Sequence, residues 1–127
     1  MYLSNMLSLR RLIRSFTDAF AGLRHVFRSE QNFRIQLLVG ILVFAAAIYL
    51  PLRNWEVVLI ILLVLLVLLV EILNTVFEYF SDLLKPRLHH YVRVIKDVMA
   101  GAVLLTSLTA LTVGIIIFYP YLRDLFR

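Results

Sequence analysis

Chemistry is most readily argued from four residues, Glu71, Asn74, Glu78 and Asp82. They close an otherwise apolar stretch as Glu71-Ile-Leu-Asn74-Thr75-Val-Phe-Glu78-Tyr-Phe-Ser-Asp82. At about 100° per residue, the four fall within an arc of roughly 80° on one helix face. Three carboxylates on one stripe repel each other. Beside lipid they are expensive to keep charged unless they are paired or bound to a cation. A purely structural helix gains nothing from such a row.

Two further clusters belong with it. Glu30 stands in Ser-Glu30-Gln-Asn32-Phe-Arg34, just ahead of an apolar run, and Lys96-Asp97 precedes another. Glu30 and Glu78 together offer hard oxygen ligands for a divalent cation, with water and phosphate completing the shell, as Mg²⁺ is usually held at nucleotide sites. Lys96 supplies a positive point charge for phosphate oxygens. Small Ala100, Gly101 and Ala102 would let helix backbones approach closely. Each residue also has a plainer reading. Glu71 can be a satisfied interhelical hydrogen bonder, Glu30 a salt-bridge partner of Arg34, and Lys96 a marker of the membrane boundary. His89 and His90 are assigned no site. No Gly-x-x-x-x-Gly-Lys-Ser/Thr loop and no Gly-x-Gly-x-x-Gly occurs, so any phosphate must be handled by side chains and metal.

The elements that position these groups are set by hydropathy. The chain has 127 residues, 62% of them hydrophobic and only 17% charged, more apolar surface than one soluble core of this size can hide. Three apolar stretches stand out: about Ile35 to Leu50, interrupted only by Gln36 and Gly40, then Val57 to Val70 running on into the polar row, then about Val98 to Tyr119, so spans are expected over about 33–52, 56–82 and 97–119. Each is long enough for a spanning helix, and continuous runs exclude the alternation of barrel strands. Ahead of them, over about 7–30, Leu12, Phe16, Phe20, Leu23 and Phe27 recur at helical spacing. Arg10, Arg11, Arg14, Arg24 and Arg28 fall largely elsewhere, which predicts a basic amphipathic helix in the headgroup layer. The expected fold is therefore an all-α membrane protein, with three transmembrane helices and an N-terminal surface helix in a single domain over 1–127.

Loop charge sets the expected orientation. The N-terminal arm and the second loop, with Lys85, Arg87, Arg93 and Lys96, carry the excess positive charge, so both are expected in the cytoplasm. The first loop and the C-terminus then lie outside, where Trp55, Tyr49, Tyr119 and Tyr121 fit an aromatic belt. The first residues lack a short apolar core with a cleavage site and read as part of the mature protein. With no cysteine, disulfides and thiolate metal sites are excluded. The net charge of +5 is explained by topology, which removes the case for nucleic acid.

The row Glu71-x-x-Asn74-Thr75-x-x-Glu78-x-x-x-Asp82 resembles the signature of the prokaryotic diacylglycerol kinase and undecaprenol kinase family. Ala21-Gly-Leu-Arg, Glu30-Gln-Asn-Phe-Arg-Ile and Lys96-Asp97-Val-Met-Ala-Gly-Ala-Val-Leu-Leu extend the resemblance over most of the chain. It implies a bacterial inner-membrane homotrimer of three-helix subunits with active sites between subunits. The implied reaction passes phosphate from ATP to a lipid alcohol. By position Glu71 matches the general base, and Glu30 and Glu78 match the carboxylates for Mg²⁺. Lys96, Asp97, Asn74 and Asp82 match nucleotide-site residues, with Arg11 and Arg14 as further candidates there. The Glu-Gln-Asn-Phe-Arg-Ile start and the Val-Gly-Ile-Ile-Ile-Phe-Tyr-Pro ending are more similar to the undecaprenol kinase branch. Phe77 and Tyr79 are bulkier than the family's usual residues, and Gln36 stands where members often carry His or an acid. That puts a catalytic contribution from position 36 in doubt.

Other classes remain open on the residues alone. A column of membrane carboxylates also suits an ion- or proton-conducting subunit, although such a path needs acids deep in the span. A non-catalytic regulatory membrane protein is the third reading, and an absence of ATP turnover would favour it.

Overall fold

The structure, a computed structural model, describes residues 8–87 and 89–127. All regular structure among them is helical: α1 (Leu9–Ser29), α2 (Gln31–Tyr49), α3 (Asn54–Leu84) and α4 (His89–Leu125). The described residues fall into two compact units, one ending at Gln31 and the other running from Asn32 to Arg127.

In the first unit, α1 starts where Ser8 can cap it: the Ser8 hydroxyl accepts from the Arg11 N–H at 3.4 Å. Residue 7, where the helix is expected to begin, lies outside the described residues. Leu12, Phe16, Phe20, Leu23 and Phe27 form an exposed apolar face, as an interfacial helix requires. The helix ends at Glu30, whose N–H donates back to the Val26 carbonyl at 2.9 Å.

In the second unit, α2, α3 and α4 are each long and apolar enough to cross a membrane. Their outward Leu, Ile and Val side chains are exposed on the chain, which is what lipid as solvent demands. Ala47, Ile60 and Ile117 form the buried core, one from each helix, backed by Val43, Leu52, Val64, Val113 and Phe118. The core thus lies in the half of the bundle near the α2–α3 turn, away from the carboxylate row. The threonines of the third span satisfy themselves. The hydroxyls of Thr106, Thr109 and Thr112 each donate to the carbonyl four residues back, at 2.8 Å.

The helices do not keep to the bounds of the apolar runs, and α4 runs past its expected end near 119 to Leu125. α3 begins at Asn54, and α4 begins at His89 rather than near 97. The charged segment Arg93–Asp97 interrupts hydropathy but not helix geometry, so α4 continues outward past the apolar run. Within the chain, one close helix approach is at Gly40. A Cβ on Gly101 would meet nothing within 4 Å, whereas one on Gly40 would lie 2.6 Å from Val64 Cγ1. Gly40 is where α2 presses on α3.

Candidate functional site

Helix geometry places the polar row as the sequence predicts, along the end of α3 remote from the core. Glu71 is the deepest member and only 1% exposed. Gln36, one turn before Gly40 on α2, donates from Nε2 to Glu71 Oε2 at 3.2 Å. Thr75 is buried below, its hydroxyl donating to the Glu71 carbonyl at 3.1 Å. The bond between Gln36 and Glu71 ties α2 to α3 at the point where Gly40 has let them close.

One further turn along, Asn74 Nδ2 donates to Glu78 Oε1 at 3.4 Å. Both are half-buried. The pair follows from spacing alone, since residues four apart meet on one face. Beyond it, Lys96 on α4 reaches Asp82 on α3 at 3.2 Å, in an exposed ion pair. Asp97 is exposed beside it. An exposed pair of this kind is worth about 0–1 kcal/mol, so a polyanion can take Lys96 from Asp82 at little cost.

The structure therefore joins Asn74 with Glu78, and Asp82 with Lys96. Glu30, Arg11 and Arg14 belong to the first unit, where Arg11 and Arg14 are exposed on α1. Among the described residues, no group of three or more His, Cys, Asp or Glu surrounds one point. The expected set of two carboxylates does not require one, because Mg²⁺ at nucleotide sites takes most of its oxygens from water and phosphate. The donor chemistry present fits such an ion: the Glu78 carboxylate offers hard oxygens, and the Asn74 amide nitrogen holds one of them in place.

Sequence reasoning undervalued two positions. Gln36 contacts Glu71 directly, and Gly40 makes that contact possible. The signal was their intrusion into an apolar run, though the partner of each is set only by how α2 and α3 register. Phe77 and Tyr79 are both largely exposed, so neither fills space inside the chain. Tyr121 has a more particular place than a lipid-facing belt. Its hydroxyl donates to Glu56, a buried carboxylate that also receives the Arg53 N–H at 3.0 Å. That cluster ties the start of α3 to the end of α4, at the opposite end of the bundle from Asp82 and Lys96.

A cavity of about 630 Å³ runs between the three helices of the second unit. Its walls are almost wholly apolar, with Val39, Val43, Val67, Leu111 and Phe118 among them, and Gln36 stands in its lining. A single-chain groove of this character suits a hydrocarbon chain.

Comparison with known proteins shows the family. The profile of the family described as "Prokaryotic diacylglycerol kinase" matches residues 17–118. A diacylglycerol kinase of Synechocystis sp. is 37% identical over 115 residues, covering 90% of this chain and 66% of its own length. An undecaprenol kinase of Bacillus subtilis is 31% identical over 114 residues, covering 90% of this chain and 93% of its own. The chain thus spans just under two thirds of the Synechocystis protein and nearly all of the Bacillus one.

Proposed function

The chain belongs to the prokaryotic diacylglycerol kinase family, a family of lipid kinases, and from that premise we propose that it transfers the γ-phosphoryl group of ATP to the hydroxyl of a membrane lipid alcohol. The observation that carries this reading is the graded row on α3: a buried carboxylate beside an apolar cavity, then a half-buried amide–carboxylate pair, then an exposed ion pair. On this reading lipid and nucleotide take opposite ends of one site.

Glu71 acts as general base. It takes the proton of the lipid hydroxyl while that oxygen attacks the γ-phosphorus and the bond to the ADP oxygen breaks, giving ADP and lipid phosphate. Glu78, assisted by Asn74, and Glu30 are the residues that would hold Mg²⁺, which when bound neutralises charge on the β- and γ-phosphate oxygens. Lys96 turns from Asp82 to the phosphates, and Asp97, Asp82, Arg11 and Arg14 complete the nucleotide contacts. The active assembly is a homotrimer in a bacterial inner membrane. The N-terminus, the α3–α4 turn and the nucleotide lie on the cytoplasmic side, where Lys85, Arg87, Arg93 and Lys96 concentrate positive charge. Undecaprenol is the preferred acceptor ahead of diacylglycerol, in keeping with the near full-length correspondence to the Bacillus enzyme.

The test is transfer of labelled γ-phosphate from MgATP in mixed micelles, with undecaprenol and diacylglycerol offered separately and together. Label in either lipid supports the kinase, and the ratio of rates identifies the preferred acceptor. Folded protein that labels neither lipid in the presence of Mg²⁺ would refute both assignments.

A further inference from the structure

The arginines of α1 are not spread evenly round the helix. At about 100° per residue, Arg10, Arg14, Arg24 and Arg28 fall within an arc of roughly 80°, and Arg24 abuts the apolar face where Ile13 and Phe20 form its edge. All four are exposed. At 1.5 Å per residue the stripe runs for about 27 Å along the helix. Past the opposite edge of the apolar face stand Ser15, Ala19 and Gly22, small and uncharged. Asp18, the one acid of α1, lies nearly opposite the apolar face. The helix therefore has one cationic flank and one neutral flank.

Such a stripe opposes the helix that carries it. Arg10 with Arg14, and Arg24 with Arg28, are like charges four residues apart, which destabilise a helix by repulsion. Arg10 also meets the positive end of the helix dipole in the first turn, and only Arg28, in the last turn, gains from it. A row of external anions removes the repulsion. The cations of the flank are all arginine, whose planar fork takes two oxygens of one phosphate. A single nucleotide does not account for them, because Arg10 and Arg24 are separated by about 21 Å along the axis, farther than one triphosphate reaches. The headgroup layer presents phosphates in a continuous plane, level with the flank of a helix whose apolar face is sunk among acyl chains.

We propose that the arginine flank of α1 binds the phosphates of anionic phospholipids, so that the negative charge of the membrane surface holds this helix down and sets its roll. The apolar face of Leu12, Phe16, Phe20, Leu23 and Phe27 is attracted to any bilayer. Each flanking arginine adds about fivefold on an anionic one, and salt screens that part alone. Phosphate transfer is no premise of this inference.

The test uses the full chain reconstituted in vesicles of phosphatidylcholine alone, or of phosphatidylcholine with an equal share of phosphatidylglycerol. The chain has no cysteine, so Ala19→Cys, at the border of the apolar face, takes a single environment-sensitive dye. Dye emission and its protection from an aqueous quencher report how firmly α1 is seated. Seating is expected to be tighter in the anionic vesicles at low salt and to fall toward the neutral level at high salt. Replacing Arg10, Arg24 and Arg28 together by glutamine should cost about a hundredfold in the seating equilibrium on anionic vesicles and leave neutral vesicles unaffected, with helix content by circular dichroism unchanged. Equal seating in the two kinds of vesicle, or a triple variant that keeps the anionic response, would overturn the proposal. Seating in neutral vesicles that the triple variant loses would assign the arginines to a protein contact instead. Inorganic phosphate or MgATP that reproduces the anionic response in neutral vesicles would make the ligand a soluble phosphate, and would overturn it as well.

Discussion

Replacing Gly40 with alanine tests the positional logic of the site without touching any reacting group. The added Cβ would lie 2.6 Å from Val64 Cγ1, against the 3.4–4 Å of ordinary contact, so about 1 Å must be found. Valine is stiff at χ1 and cannot swing its methyl away freely; an off-rotamer arrangement costs about 0.5–1.5 kcal/mol. The other route is for α2 to move off α3 by that ångström. The Gln36–Glu71 bond, 3.2 Å long, would then stretch beyond 4 Å and cease to be a hydrogen bond. Overpacking of this size costs about 1–3 kcal/mol. Loss of the orienting bond is expected to lower kcat by roughly tenfold, the equivalent of about 1.4 kcal/mol. The assay is phosphate transfer to the lipid in mixed micelles, run beside thermal unfolding. Val64→Ala removes the obstructing methyls, so Gly40→Ala with Val64→Ala should regain most of the lost activity, giving a coupling of about 1 kcal/mol or more in the double-mutant cycle. Gly40→Ala with wild-type activity and stability, or a double variant no better than the single, would refute the idea that this contact sets the register of the site.

Other substitutions separate the remaining roles. Glu71→Gln keeps shape and packing and should abolish turnover while nucleotide binding and assembly persist; loss of assembly, seen by size-exclusion chromatography, would mark a structural residue instead. In Glu78→Gln the defect should show in the Mg²⁺ titration of activity as a rise in the concentration for half-maximal rate, and an unchanged titration would remove Glu78 from the metal site. Lys96→Met should raise KM for ATP at least several-fold with little change in unfolding midpoint, because its ion pair with Asp82 is exposed. Tyr121→Phe leaves Glu56 short of a donor at the far end of the bundle and should lower the unfolding midpoint, with kcat per folded molecule unaffected.

The sequence was informative wherever a single helix decides the outcome. Three spans, the amphipathic α1 and the shared face of Glu71, Asn74, Glu78 and Asp82 all follow from periodicity and length, which one strand of text contains. The contacts of Gln36 with Glu71, Gly40 with Val64 and Tyr121 with Glu56 do not. Each depends on the offset and rotation between two helices, which interdigitating side chains determine together. The early start of α4 was hidden for another reason: hydropathy marks where lipid is, whereas hydrogen bonding carries the helix past it. Gln36 shows both limits, since its place in an apolar run was visible while its partner was not.

The length of α3 has a consequence for how the two substrates meet. At 1.5 Å per residue its 31 residues extend for roughly 46 Å, well beyond a hydrocarbon layer of about 30 Å. If Trp55 marks one boundary, the other falls about 20 residues later, near Thr75. Glu71 then stands about 6 Å on the oily side of that boundary, Glu78 about 4 Å on the watery side and Asp82 about 10 Å out. A single rigid rod thus carries its polar groups through a steep change of dielectric, like graduations on a dipstick. For the proposed reaction the membrane itself would sort the reactants along it, so that neither an insoluble alcohol nor a soluble nucleotide has to leave its own phase to reach the other.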